Sequence, residues 1–145
     1  MGEPPASLGV VARRVDMVLE ALLESESRLW TDLDSELAGP LGELARLVRS
    51  GGKRLRPAFC HWGFVAAGGD IAEAELVDSP VATAGAALEL LHAQALFHDD
   101  VIDDADSRRG STTTHRLFGD RHRESGWAGE ARRFGEGVAI LVGDL

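Results

Sequence analysis

The sequence predicts an all-α protein, and three observations carry that prediction. Leu and Ala dominate a chain that is 44% hydrophobic, while the aromatic share is 6% and β-branched residues are sparse, a balance that favours helix over sheet. Apolar residues recur at three- and four-residue spacing along most of the chain. Glycine and proline gather between those stretches, where turns between helices belong. At 145 residues the chain is long enough for one domain with its own core.

Met1 to Ser7, with Pro4 and Pro5, reads as a disordered start, and one domain is expected over 8–145. Leu8, Val11, Val15, Val18, Leu19 and Leu22 form a first helical stripe. Leu37, Leu41, Leu44, Leu47 and Val48 form a second. Gly51–Gly52 breaks the pattern, and Lys53 to Ala67 makes a third helix with Pro57 tolerated in its first turn. Gly68–Gly69–Asp70 ends it. Pro80 to Asp104 reads as one long helix, apolar nearly all round, as a buried central helix is. Arg109–Gly110–Ser111 is expected as a loop, with a short helix over Thr113 to Phe118. His122 to Arg133 is expected as an exposed loop leading into a further helix. Gly137 to Leu145 is an apolar helical run without a stop signal, so either the chain continues or another polypeptide covers it.

A formal net charge of −9 and a pI near 4.9 argue against nucleic acid as the main partner, which needs a basic surface. The single cysteine, Cys60, allows no internal disulfide and no thiolate zinc site, so a reducing cytoplasm is the expected home. Met1 to Ser7 lacks the basic and apolar parts of a signal peptide. No apolar run approaches the roughly 20 residues of a membrane-spanning helix, so no integral membrane segment is expected.

The strongest chemical signal is His98–Asp99–Asp100–Val101–Ile102–Asp103–Asp104, followed by Asp106, Arg108, Arg109 and Gly110. Helical positions four apart lie one turn above each other, so Asp99 and Asp103 share a face. Stacked carboxylates repel unless a cation intervenes, and hard oxygen ligands of this kind suit Mg²⁺. Asp100 and Asp104 form a second pair rotated by about 100°, either supporting the first or facing solvent. Alone, such a cluster also reads as a solvated helix end. An EF-hand fails, since a loop beginning at Asp104 puts Arg108 and His115 where oxygen ligands belong. The second signal is Gly51–Gly52–Lys53–Arg54–Leu55–Arg56–Pro57. Its glycines let backbone approach an anion, and Lys53, Arg54 and Arg56 supply donors at a helix start. It is not a nucleotide P-loop, whose spacing differs.

Together these motifs resemble the trans-isoprenyl diphosphate synthases, from about residue 10 to the last residue. Asp99 precedes Arg108 by nine residues, as in that family's first aspartate-rich motif, and Gly143–Asp144–Leu145 looks like its next short motif. The resemblance implies the N-terminal part of the isoprenoid synthase helical bundle. It implies that Asp99 and Asp103 ligate Mg²⁺ bridging an allylic diphosphate, with Arg108 on that same diphosphate. Lys53, Arg56 and Arg109, with His92 beside them, would bind isopentenyl diphosphate. His92 lies seven residues before Asp99 and so shares its face; taken alone it reads as an ordinary core histidine. His98 and His115 match family positions without an assigned role, and Thr112 replaces the family's usual proline.

The implied reaction is ionisation of the allylic diphosphate followed by condensation, with the apolar helix holding the growing chain. Neither Gln94 nor Ala95 is the bulky aromatic that stops elongation near the farnesyl stage in this family. Leu88 lies about 16 Å below Asp99 at ~1.5 Å per residue, so geranylgeranyl diphosphate is the expected product. The family's second aspartate-rich motif is absent here. The chain is therefore expected to be half of a longer or split enzyme, completed by a C-terminal half and homodimeric. A non-catalytic subunit modulating a full-length synthase is the alternative, and a terpene cyclase, which has no use for the second basic site, ranks last.

Overall fold

The computed structural model of the chain describes residues 6–145, as seven helices and one two-stranded hairpin. The expected disordered start lies mostly outside the described residues; the first helix, α1, begins at Ala6 and runs to Leu33. Val11, Val15, Leu19 and Leu23 are its buried face. Leu22, expected inside, is exposed, because the four-residue spacing that packs carries the stripe to Leu23 instead.

A 3₁₀ turn over Ser35–Leu37, capped by Asp34 accepting from the Glu36 amide at 2.9 Å, leads into α2, Ala38–Arg49. Helix α3 spans Leu55–Ala66 with Pro57 in its first turn, where no N–H partner is needed. Lys53 and Arg54 precede it rather than belonging to it. The short α4, Ile71–Ala74, follows Gly68–Gly69 and is capped by Asp70.

Helix α5, Pro80–Ile102, starts with Pro80 in its first turn and with the Ser79 hydroxyl accepting from the Ala82 amide at 3.1 Å. Its buried face joins Val15, Leu19 and Leu23 of α1, and Leu47 and Val48 of α2, around Ala86, Ala93 and Phe97. Each fully buried large side chain stabilises by roughly 1.5–3 kcal/mol. Gly85 is the close approach: a Cβ there would lie 3.1 Å from Val15 and 3.2 Å from Pro57.

Helix α5 is not buried all round. Leu88, Leu91 and Ala95 are exposed along the face that ends at Asp99. No described element covers that stripe.

The expected loop over Arg109–Gly110–Ser111 is the turn of a hairpin, β1 (Ser107–Arg108) and β2 (Ser111–Thr112). Helix α6 runs from Thr114 to Glu124, well past Phe118. Its end was legible only as polar sequence, yet His122 is buried and packs against Trp127 and Phe134. Helix α7, Ala131–Asp144, follows. Gly135 lets α6 and α7 touch: a Cβ there would fall 2.0 Å from the His115 carbonyl oxygen. Ala139 and Val142 turn inward, while Ile140, Leu141 and Leu145 remain exposed. Among the described residues, no helix is long and apolar enough to cross a membrane.

Candidate active site

The last turn of α5 brings four carboxylates to one helix end that carries no basic residue. The negative end of the helix dipole adds to their repulsion. Asp103 is the C-cap and keeps helical geometry, its amide donating to the Asp99 carbonyl at 2.8 Å. Asp99 and Asp103 thus stay one turn apart, and both are exposed. Neither carboxylate has a hydrogen bond or ion pair among the described residues. No group of three or more His, Cys, Asp or Glu side chains is gathered for a metal among the described residues. Two free hard-oxygen ligands fit Mg²⁺, which keeps several waters and takes its other oxygens from a phosphorylated ligand.

Asp100, a quarter-turn away, is buried at 6% exposure. It therefore supports the site and does not face solvent. Its Oδ1 lies 2.8 Å from both Nε and Nη2 of Arg108. Asp104 faces the other way and pairs with Arg116 at 3.0 Å and Arg132 at 3.6 Å.

Arg108 and Arg109 are neighbours on the hairpin. Arg109 and Gly110 both have positive φ, +51° and +81°, the geometry of a tight two-residue turn whose twist suits paired strands. Arg108 goes to Asp100, whereas Arg109 reaches the opposite wall. Its Nη1 donates to the Gly51 carbonyl, to the Ser50 carbonyl at 3.2 Å and to the Ser50 hydroxyl at 3.1 Å.

Gly51, at φ +76°, gives the basic segment its bend. Lys53 and Arg56 are exposed. With His92 and Arg109 they line one cleft of about 250 Å³. All four predicted residues meet there. Burial, and next the Arg56 charge, push His92 below its ordinary pKa, with Arg109 and Arg108 adding to the effect. Near neutral pH it is a neutral imidazole among cations, able to donate one N–H.

Arg54 lines the same cleft, but its guanidinium is taken up by protein partners. It is buried in left-handed geometry (φ +47°) and bonds Asp16 at 2.9 Å, Glu89 at 2.7 Å and the Val48 carbonyl at 2.9 Å. The middle cation of the basic run is thus a fastener to α1 and α5. His98 approaches Asp144 at 3.3 Å, and Gln94 donates to the same oxygen at 3.1 Å. His115 is buried with neither ring nitrogen hydrogen-bonded.

The model of the polyprenyl synthetase family matches residues 41–145, which include both motifs. The chain belongs to the polyprenyl synthetase family. Among its relatives is the short chain isoprenyl diphosphate synthase of Methanocaldococcus jannaschii, 32% identical over 85% of this chain and 30% of that one. The heptaprenyl diphosphate synthase component 2 of Geobacillus stearothermophilus is 43% identical over 66% of this chain and 28% of the relative. In structure, the chain is similar to the geranylgeranyl pyrophosphate synthase of Corynebacterium glutamicum, solved with isoprenyl diphosphate and magnesium. The TM-score is 0.62 at 32% identity, over 99% of this chain and 39% of that one. The fold is thus that of the isoprenoid synthases. This polyprenyl synthetase chain spans under a third of the length of the curated relatives it matches.

Sequence reading left Asp100 between a supporting and a solvent-facing role, and it did not find Ser50, Arg46 or Glu89 as parts of the site. None of those three stands out by residue type, and only the tertiary fold gives them their partners.

Proposed function

We propose that this chain supplies the first half of a prenyltransferase site condensing isopentenyl diphosphate with an allylic diphosphate, within a longer or split enzyme. One observation supports the reading: adjacent arginines of one hairpin diverge, Arg108 bonding Asp100 and Arg109 bonding Ser50 beside the cleft of Lys53, Arg56 and His92. Arg108 belongs with the Asp99–Asp103 turn, and Arg109 with Lys53, Arg56 and His92.

Asp99 and Asp103 would hold Mg²⁺, which supplies charge neutralisation to a departing diphosphate. Arg108, held by Asp100, offers its remaining donors to the allylic diphosphate. That substrate's C–O bond breaks, the electron pair leaving with diphosphate, and the allylic cation is shielded from water by the Leu91–Ala95 face of α5. Lys53, Arg56 and Arg109 orient the second substrate by its diphosphate, with His92 adding a neutral N–H donor; its double bond attacks the allylic cation, forming the new carbon–carbon bond and a tertiary cation. A proton is then lost, most simply to the released pyrophosphate, and the new double bond forms.

Ala95, exposed on the Asp99 face, and Gln94, drawn aside to Asp144, leave room for a product of C20 or longer, geranylgeranyl diphosphate in the first instance. Relatives are named for geranylgeranyl, heptaprenyl and solanesyl products, which are of that length and longer. The exposed α5 stripe fits a complementary C-terminal half, with homodimerisation of the complete enzyme. A cytoplasmic setting fits the lone Cys60.

The test is product analysis after incubating the protein, together with any copurifying half, with isopentenyl and farnesyl diphosphates with and without Mg²⁺. Magnesium-dependent C20 or longer product is expected. No condensation from a sample containing both halves overturns the reading, and a product that stops at C15 when geranyl diphosphate replaces farnesyl diphosphate overturns the product length.

A further inference from the structure

Arg46 lies on the last turn of α2, in no motif. Its Nε and Nη2 grip Glu43 at 2.6–3.1 Å, and Nη2 also donates to the Thr112 carbonyl at 3.3 Å. Glu43 is buried and accepts from the Thr114 hydroxyl at 3.1 Å. Helix α2 is thereby fixed to β2 and to the start of α6, the two segments that follow the hairpin turn.

The other side of the hairpin is tied to the same helix end, since Arg109 bonds Ser50 and Gly51 directly after α2. Arg46, Ser50, Asp100, Arg108 and Arg109 all line one small cavity of about 120 Å³. The Glu43 carboxylate, with a contribution from Asp100, raises the Arg46 pKa above its ordinary value, so the guanidinium is a permanent cation. Its Nε and Nη2 are engaged by Glu43 and the Thr112 carbonyl, while Nη1 has no hydrogen-bond partner among the described residues.

We infer that Arg46 is a positioning residue for both diphosphate sites, holding the hairpin so that Arg108 and Arg109 face their separate ligands. This deepens the function proposed above and rests on it. A cation clamped by a buried carboxylate sets the hairpin at one height on α2. Two adjacent arginines diverge correctly only from that height. Lysine in its place keeps the charge, yet its single head cannot hold Glu43 and the Thr112 carbonyl in the same planar fork.

The experiment is calorimetric titration of magnesium pyrophosphate into the wild type and the Arg46→Gln, Arg46→Lys and Thr114→Val variants, with a thermal melt of each. Arg46→Gln is expected to bind roughly 10-fold more weakly, as orienting partners of binding residues usually do when removed, and Arg46→Lys to fall between it and the wild type. Thr114→Val loosens the same carboxylate and lowers the melting temperature, yet leaves the Arg46–Thr112 bond and the affinity in place. If Arg46→Gln binds like the wild type, or if Thr114→Val loses affinity in step with its melting temperature, the role is merely structural and the inference is overturned. A wild type that binds no magnesium pyrophosphate with its complementary half present overturns the functional reading itself, and this inference with it.

Discussion

Arg108 approaches a single oxygen of Asp100 with two nitrogens, each at 2.8 Å, while Asp100 sits 6% exposed beneath the hairpin. Under the proposed function, a carboxylate thus prepares a cation for an anionic ligand. Asp100→Ala removes a negative charge, and plain electrostatics would then strengthen anion binding. The geometry gives the opposite sign, because Arg108 loses its only anchor among the described residues. Pyrophosphate affinity is expected to fall, and unfolding free energy by about 1–3 kcal/mol for the lost buried partner. Calorimetry and urea unfolding check both, and tighter binding in the variant would refute the anchoring role.

Much of the architecture was legible because its signals are local. Pro80 after Ser79 marks a helix start by cap chemistry, and Gly51 and Gly68 mark breaks by their tolerance of positive φ. The Asp99–Asp103 pairing follows from helical period alone. Partner choice was not legible, since it depends on contacts distant in sequence. Arg54 stands between Lys53 and Arg56 and reads like them, but one left-handed residue turns it inward to Glu89. The polar end of α6 concealed a buried His122 for a similar reason: its apolar partners, Trp127 and Phe134, come later in the chain.

Asp99 and Asp103 are unpaired carboxylates stacked at the negative end of a helix. Asp99→Asn relieves that repulsion, so the metal-free variant is expected to be equal to or slightly more stable than wild type, by a few tenths of a kcal/mol or ~0.2–0.5. Wild type should gain melting temperature when Mg²⁺ and pyrophosphate are added together, and the variant should not. A variant that is destabilised, or that keeps the full ligand-induced gain, would show that these carboxylates serve the fold.

Burial lowers the pKa of His61, His92 and His115 in the folded chain, with nearby arginines adding to each shift. Below the ordinary histidine value, near 6.5, the unfolded chain takes up protons that the folded chain refuses. Stability is therefore full above that value and is lost as pH falls through it toward the folded values. His92→Gln removes one of the three contributions, and the drop in stability between about pH 7.5 and about pH 5.5 should shrink by comparison with wild type. An unchanged slope would mean that His92 titrates normally.

Lys53 and Arg54 are adjacent cations with opposite duties. The Lys53 side chain is exposed in the cleft, with no hydrogen bond or ion pair among the described residues, so Lys53→Ala should leave stability within about ±0.5 kcal/mol while weakening pyrophosphate binding. Arg54 is 8% exposed and holds Glu89, itself 5% exposed at the side chain, together with Asp16 and the Val48 carbonyl. Arg54→Ala strands a buried carboxylate inside α5, and breaking such a pair costs about 3–5 kcal/mol. Pairing it with Glu89→Leu removes the stranded charge, so the double variant should recover much of that loss even though two polar contacts are gone. Failure of this recovery would mean that the main cost lies in releasing the basic loop from Asp16 and Val48. Thermal melts of the three variants, set beside their pyrophosphate titrations, separate the fastener from the ligand-binding cation at neighbouring positions.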